Sequence, residues 1–263
     1  MLAAAGSGHP GGSLSAVEIV TALYGRIMRH NPQQPLWPDR DRLILSKGHA
    51  APVVYAALAE CGYFPVEELT TLRKLGSRLQ GHTFIYYQPG THELRTPIQS
   101  VPGIEMSAGS LGQGLSFSIG QAIAARIDGR DSRIYCLMGD GELDEGQVWE
   151  AAMCAAHHKL DNLTAIIDRN CIQNDGFCAD IMGTEPLREK WEAFGWHVIE
   201  VDGHNLHAVI DALTTAKEVK NQPAAIIAHT IKGKGVSFME NNPVYHGKAP
   251  TPEEAERALA ELA

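Results

Sequence analysis

The sequence predicts an α/β fold: a mainly parallel β-sheet with helices on both faces. Three observations predict it. Short runs rich in β-branched and apolar residues recur along the chain, and stretches with helical spacing separate them. Two of the runs lead into loops that join glycine to oxygen-bearing side chains, the pattern expected where strand ends line a ligand crevice.

Taken in order, Ser13 to Arg29 is expected to be helical, with Leu14, Val17, Val20, Leu23 and Ile27 on one face, before a Pro-rich loop from Asn31 to Pro38. Leu43 to Leu45 reads as a short strand. Pro52 to Cys61, Val66 to Leu75 and Leu111 to Ile127 read as helices, the last with small residues that allow close approach to another backbone. Strands follow at 133–138, 163–168, 197–201 and 224–229, joined by helices at Glu145 to Lys159, Leu187 to Phe194 and Asn205 to Lys220. The tail from Thr251 to Ala263 opens on Thr-Pro-Glu-Glu, a helix start signal. No repeat, low-complexity segment or interdomain linker interrupts this βαβ rhythm, so 1–263 is expected to form one domain.

Composition narrows the function. At 263 residues and 44% hydrophobic, the chain can bury one large core. Its net charge of −9 argues against a nucleic-acid or anionic-membrane surface, so an anionic ligand is expected to rely on a metal and backbone amides. Cys61, Cys136, Cys154, Cys171 and Cys178 show no zinc or C-x-x-C spacing and read as reduced thiols. No apolar run approaches the ~20 residues of a membrane span, and no signal peptide is evident, so a soluble cytoplasmic protein is expected.

The chemistry concentrates in two loops. Gly139-Asp140-Gly141-Glu142-Leu143-Asp144-Glu145-Gly146 follows one predicted strand, and Asp168-Arg169-Asn170-Cys171-Ile172 ends the next. Mg²⁺ prefers octahedral oxygen ligation from one or two protein groups plus substrate phosphates. Asp140 offers a carboxylate, Asn170 an amide oxygen and Ile172 a backbone carbonyl. Gly139 and Gly141 let the backbone approach a diphosphate. Gly-Asp-Gly alone would read as an acidic surface turn; the following acidic residues and the distant Asn shift the balance. Hard ligands favour Mg²⁺, with Ca²⁺ or Mn²⁺ as alternatives. Gly6 to Gly11 satisfies G-x-G-x-x-G but has no strand before it, so it is discarded as a dinucleotide motif. His9, His49, His82 and His246 stand beside glycine, which presents a ring from a bend; each alone is a capping or surface residue.

These segments resemble the thiamine diphosphate enzymes and, among them, transketolase. The matching stretches are SGHPGG (Ser7 to Gly12), SKGHA (Ser46 to Ala50), GSLGQG (Gly109 to Gly114), GDGELDEGQVWE (Gly139 to Glu150), DRNCIQNDG (Asp168 to Gly176) and KGKGVSFMENNPVYHG (Lys232 to Gly247). The resemblance implies thiamine diphosphate and a divalent cation as cofactors and transfer of a two-carbon ketol unit from a ketose (phosphate) to an aldose (phosphate). It places His9, His49, His82 and His246 around the cofactor's reactive carbon as proton-handling groups. Ser110, Leu111, Gly112, Gly139, Asp140, Gly141, Glu142, Asn170, Ile172, His49 and His246 become the cofactor set, with Asp140, Asn170 and Ile172 on the metal. Glu145 and Glu150 match acidic positions that link paired active sites; as ordinary residues they are helix amino-terminal charge.

The chain departs from the family pattern in three places. A longer helix normally precedes SGHPGG, so Met1 reads as an internal start. The stretch between His82 and Pro102 is long and carries Phe84, Tyr86, Tyr87, His92 and Arg95, bearing on substrate or interface. The pyrimidine-binding domain has no counterpart, which implies a split transketolase completed by a carboxy-terminal subunit, two copies of each. Two rivals stay open: a subunit with other donor chemistry (pyruvate-type, 1-deoxyxylulose-phosphate synthase-like, or a sulfo- or branched-sugar transketolase), and a cofactor-binding module without turnover.

Overall fold

The computed structural model describes residues 1–85 and 100–263. Five strands form one sheet: β1 (Arg42–Leu45), β2 (Ile134–Gly139), β3 (Leu163–Arg169), and, after a small hairpin of β4 (Ile172–Gln173) and β5 (Gly176–Phe177), β6 (His197–Asp202) and β7 (Ala224–His229). The order across the sheet is β1-β2-β3-β7-β6, and each neighbouring pair is parallel. Every sheet strand lies within one residue of its predicted position.

Ten α-helices accompany the strands among the described residues: α1 (Leu2–Ala5), α2 (Pro10–Leu14), α3 (Val17–Ala22), α4 (Ala51–Glu60), α5 (Gln113–Ile127), α6 (Gly146–His157), α7 (Cys178–Ile181), α8 (Leu187–Ala193), α9 (Leu206–Glu218) and α10 (Pro252–Leu262). Strand alternation divides the core into two layers. Tyr135 and Leu137 of β2 pack with α3, α4 and α9 on one face, whereas Ile134, Cys136 and Met138 pack with α5, α6 and α8 on the other. α10 starts on a complete capping box between Thr251 and Glu254, the start signal expected from its sequence.

Two predicted helices are corrected. The helix expected from Ser13 to Arg29 begins earlier, at Pro10, breaks at Ser15–Ala16, and ends in a π-helical turn from Leu23 to Ile27. Serine hydroxyls account for the break: Ser13 Oγ donates to His9 O at 3.0 Å, and Ser15 Oγ contacts Gly12 O at 3.3 Å while reaching Asp168 Oδ2 at 2.5 Å. The helix expected from Val66 to Leu75 is a 3₁₀ stretch from Val66 to Thr71. There Thr70 and Thr71 turn their hydroxyls back onto the carbonyls of Glu67 and Glu68, and Arg73 takes a φ of 60°. Of the long segment after His82, Phe84 is described and partly exposed; Tyr86, Tyr87, His92 and Arg95 lie outside the described residues.

Candidate active site at the carboxyl ends of four strands

In a parallel sheet the loops leaving the carboxyl ends share one edge. Four adjacent strands deliver the site: β1 leads to Lys47 and His49, β2 to Asp140, β3 to Asp168 and Asn170, and β7 to Lys232. His9 arrives from the turn before α2 and His246 from the 3₁₀ turn Pro243–His246. The resulting cavity, of about 270 Å³, is lined by Asp140, Asn170 and Ile172 together with His9, His49, His82 and His246. Residues far apart in sequence thus converge as their spacing suggests.

The oxygen-bearing residues expected to face a cation are held from behind. Asp140 is 3% exposed; its Oδ1 accepts from Gly141 N at 2.9 Å and its Oδ2 from Cys171 N at 2.6 Å. Burial, and secondarily the Asp168 charge, raises the Asp140 carboxyl to about 6. Asn170 Oδ1 accepts from Ile172 N at 3.2 Å. The Ile172 carbonyl accepts from Lys232 Nζ at 2.7 Å. Each of these oxygens retains lone-pair capacity, so one carboxylate, one amide and one carbonyl remain available to a hard cation. Among the described residues no cluster of three His, Cys, Asp or Glu side chains has metal-binding geometry. Three oxygens from one carboxylate, one amide and one carbonyl are a donor set that suits a hard cation completing its shell from a bound molecule.

Behind Asn170 lies a buried charge network. Asp168 is fully buried and accepts from Lys47 Nζ, Ser15 Oγ, Asn170 Nδ2 and Thr230 Oγ1. Burial alone would push its carboxyl up; the Lys47 ammonium and the hydrogen bonds outweigh that and hold it below the usual range. Lys47 also donates to Gly12 O at 2.9 Å. Lys232 bridges Ile172 O and His246 Nδ1, the latter at 2.8 Å, and burial followed by the neighbouring Lys47 charge lowers it to about 8.

Glu142, expected in the cofactor set, lines the cavity and also ties its loops together. Its side chain accepts from Ser46 Oγ, from Gly112 N at 2.9 Å and from Gly139 N at 3.1 Å, joining the loops after β1 and β2 to the one before α5. Burial raises its carboxyl. The Gly112 and Gly139 amides are thereby spent within the protein. Gly112 itself takes a φ of 83°, and Gly141 makes room for Gln173, whose Cβ would stand 2.6 Å from a Cβ placed there. The cations lining the cavity are Lys47 and Lys232. Both lie in recognised motifs, SKGHA and KGKG, which are the only sequence signal that points to them.

The four imidazoles meet as a ring of neighbours. Centroids of His9 lie 5.2, 5.9 and 5.6 Å from those of His49, His82 and His246, and His49 stacks on His246 at 5.1 Å. Burial is the leading cause of lowered basicity in each: His9 falls to about 4, His246 to about 3, and His49 and His82 shift the same way, with Arg73, Lys47 and Lys232 adding repulsion. Lowered basicity favours the neutral ring in each, and His9, His49 and His82 keep a nitrogen free to take a proton, whereas the acceptor nitrogen of His246 is occupied. Lys232 donates to His246 Nδ1, so the neutral ring carries its own proton on Nε2.

The other expected residues lie at the cavity wall or outside it. Leu111 lines the cavity; Ser110 is exposed beside it. Glu145 and Glu150 are exposed near the start of α6, with Glu145 packed against Gly112. Gln173 and Asn174, from the β4–β5 turn, line the cavity although neither stands among the residues expected there.

Comparison with known proteins places this arrangement. The family model for "Transketolase, thiamine diphosphate binding domain" matches residues 1–262. The chain is 47% identical over 257 residues to the 6-deoxy-6-sulfo-D-fructose transketolase subunit SqwG of Clostridium sp. (strain MSTE9), covering 98% of this chain and 89% of that one. It is 45% identical to one of the subunits of the apulose-4-phosphate transketolase of Actinobacillus succinogenes, covering 97% and 87%. Human transketolase is 42% identical, but the match spans 39% of its length. A crystal structure of transketolase from Pichia stipitis in complex with sedoheptulose 7-phosphate superposes with a TM-score of 0.89 at 33% identity, over 99% of this chain and 38% of that one.

Proposed function

Because the chain belongs to the transketolase family through its thiamine diphosphate-binding domain, we propose that it is the cofactor-diphosphate half of a transketolase whose active site a second polypeptide completes. Residues 1–263 act as one domain in this reading. The observation that carries it is the convergence of four neutral imidazoles on the cavity that also holds Asp140, Asn170 and Ile172. Two relatives are themselves named as transketolase subunits and are matched over most of their length, whereas single-chain transketolases are matched over little more than a third. The assembly follows as two copies of each polypeptide around paired sites.

Asp140, Asn170 and Ile172 would hold Mg²⁺, and Lys47 and Lys232 would face the diphosphate. The lining pairs Lys47 and Lys232 with Asp140 and Glu142, formally neutral as a set, so a polyanionic tail needs the charge of a divalent cation. Bound thiamine diphosphate supplies a nucleophilic carbon that carries the two-carbon unit between sugars. The histidines orient the sugar hydroxyls and take or return protons there, as neutral rings are suited to do. Glu145 and Glu150, exposed near the start of α6, would meet the companion chain. The donor class is ketose phosphates, extended by the relatives' names toward sulfonated and branched sugars. No helix among the described residues is long and apolar enough to cross a membrane, and a cytoplasmic site of action suits sugar phosphate substrates.

The test is a mixing assay with the companion polypeptide, thiamine diphosphate and Mg²⁺. Ketol transfer from xylulose 5-phosphate, or from a sulfonated or branched ketose, is expected only when both chains are present. Turnover of pyruvate instead, or full activity from this chain alone, would overturn the proposal.

A further inference from the structure

We propose that Asp168 is a positioning residue for the cation site: it sets which end of the Asn170 amide faces the cavity. The inference rests on the metal-and-diphosphate reading above and adds a residue to it. An asparagine amide has two nearly isosteric ends, one a donor and one an acceptor, and only the oxygen can ligate a cation. Asn170 Nδ2 donates to Asp168 Oδ2 at 3.0 Å and lies 3.3 Å from Ser15 Oγ. Turning the amide over would set its oxygen against the Asp168 carboxylate and its NH₂ against the Ile172 N–H. Asp168 therefore makes one orientation the stable one.

The same carboxylate ties down the rest of the floor. Lys47 and Ser15 share Oδ2 with Asn170, and Thr230 takes Oδ1. Asp168 thus joins the turn after α2 and the loops after β1, β3 and β7. Its backbone carbonyl also receives Asn170 N at 3.1 Å and Asp140 N at 3.3 Å, so both side chains offered to the cation are anchored on this residue. Outer partners of this kind typically change metal affinity 10–100-fold.

The experiment measures thiamine diphosphate retention as a function of Mg²⁺, by calorimetry on the full chain mixed with its companion polypeptide, with thermal unfolding as the control for fold. Asp168→Asn is expected to raise the Mg²⁺ needed for half-maximal retention by about 10–100-fold. Asn170→Ala should raise it at least as far, and the double substitution no further than Asn170→Ala alone. A folded Asp168→Asn with an unchanged Mg²⁺ requirement, or losses that multiply in the double substitution, would overturn the proposal. Removing the charge of Asp168 leaves Lys47 buried and unpaired, so the comparison is repeated as Lys47→Met against Lys47→Met with Asp168→Asn. The same rise is expected there, and coincident curves would overturn it. Wild-type retention that ignores chelation of Mg²⁺ and survives Asp140→Ala would remove the cation site itself, a failure distinct from that of Asp168 alone.

Discussion

The two halves of the cavity are built to opposite rules. On the oxygen side, Asp140, Glu142, Asp168 and Asn170 are buried, and their side chains are bonded to backbone amides, hydroxyls or a lysine. On the imidazole side, no hydrogen bond among the described residues reaches a ring nitrogen of His9, His49 or His82, and His9 Nδ1 is buried without a partner. An unmade hydrogen bond in a buried place is costly, so His9 Nδ1, which has no partner, marks a group open to a ligand. A side that anchors is strengthened by satisfied bonds, because displacement would break several at once. A side that moves protons needs nitrogens left open.

The difference predicts separable losses. The largest effect belongs to the anchor: Asp140→Ala should weaken Mg²⁺-dependent thiamine diphosphate binding by more than about 100-fold, beyond what outer partners of a ligand produce. Calorimetric titration with and without Mg²⁺ reads this directly, and unchanged affinity would erase the distinction between the two sides. The next effect belongs to the ring. His9→Gln is expected to lower ketol-transfer turnover by about 100-fold or more while cofactor affinity stays at the wild-type value. Steady-state kinetics of the mixed polypeptides beside cofactor titration checks this, and a parallel fall in both would make His9 part of the anchor.

How far each side is visible in the sequence follows from the same contrast. Asp140 and Asn170 stand in strand-end loops whose pattern brings them to one edge, whereas the four histidines, each a capping or surface residue on its own, are brought there only by the family resemblance. The central strands β2, β3 and β7 are plain, because both faces are covered and their runs are nearly continuously apolar. The supporting shell is not. Ser15 meets Asp168 across most of the chain, and a helical pattern that runs through Ser15 contains no sign that its hydroxyl will break the helix there. Lys47 and Lys232 escape a reading by residue type because lysine is seldom buried, and histidine draws the functional weight in the same motifs. The β4–β5 hairpin is too short for alternation to register; only Asn174 and Asp175 between two-residue strands indicate a turn.

Glu142 sharpens the comparison at smaller scale. It is a buried carboxylate that anchors loops, so Glu142→Gln should leave an amide donor facing a Gly139 or Gly112 N–H. Such a mismatch costs about 1–3 kcal/mol. At this chain length each kcal/mol corresponds to roughly 2–4 °C in Tm, and thermal unfolding of the cofactor-free protein should show the drop. An unchanged Tm would mean that Glu142 is no brace and would return it to the ligand-contacting set.

The smallest effect is the pH dependence of the ring side. His9 at about 4 and His246 at about 3 are less basic in the fold than in the unfolded chain, where histidine titrates near 6.5. As pH falls below about 6.5 the unfolded chain therefore binds protons that the folded one refuses. The stability these rings contribute is fully present above that value and is lost as pH falls toward their folded values. Asp140, raised to about 6 by burial first and Asp168 second, acts in the opposite sense, since its proton is held more tightly in the fold. The wild-type slope alone thus mixes the two sides of the cavity. Comparison with His9→Gln and His246→Gln isolates the rings: their Tm should fall less steeply between about pH 6.5 and 4 than that of the wild type. The rings are only half-buried, so solvent screening keeps the effect modest. Parallel slopes in all three proteins would mean that the imidazoles are solvated as freely as in the unfolded chain, and the contrast between an anchored and an open side would lose its electrostatic half.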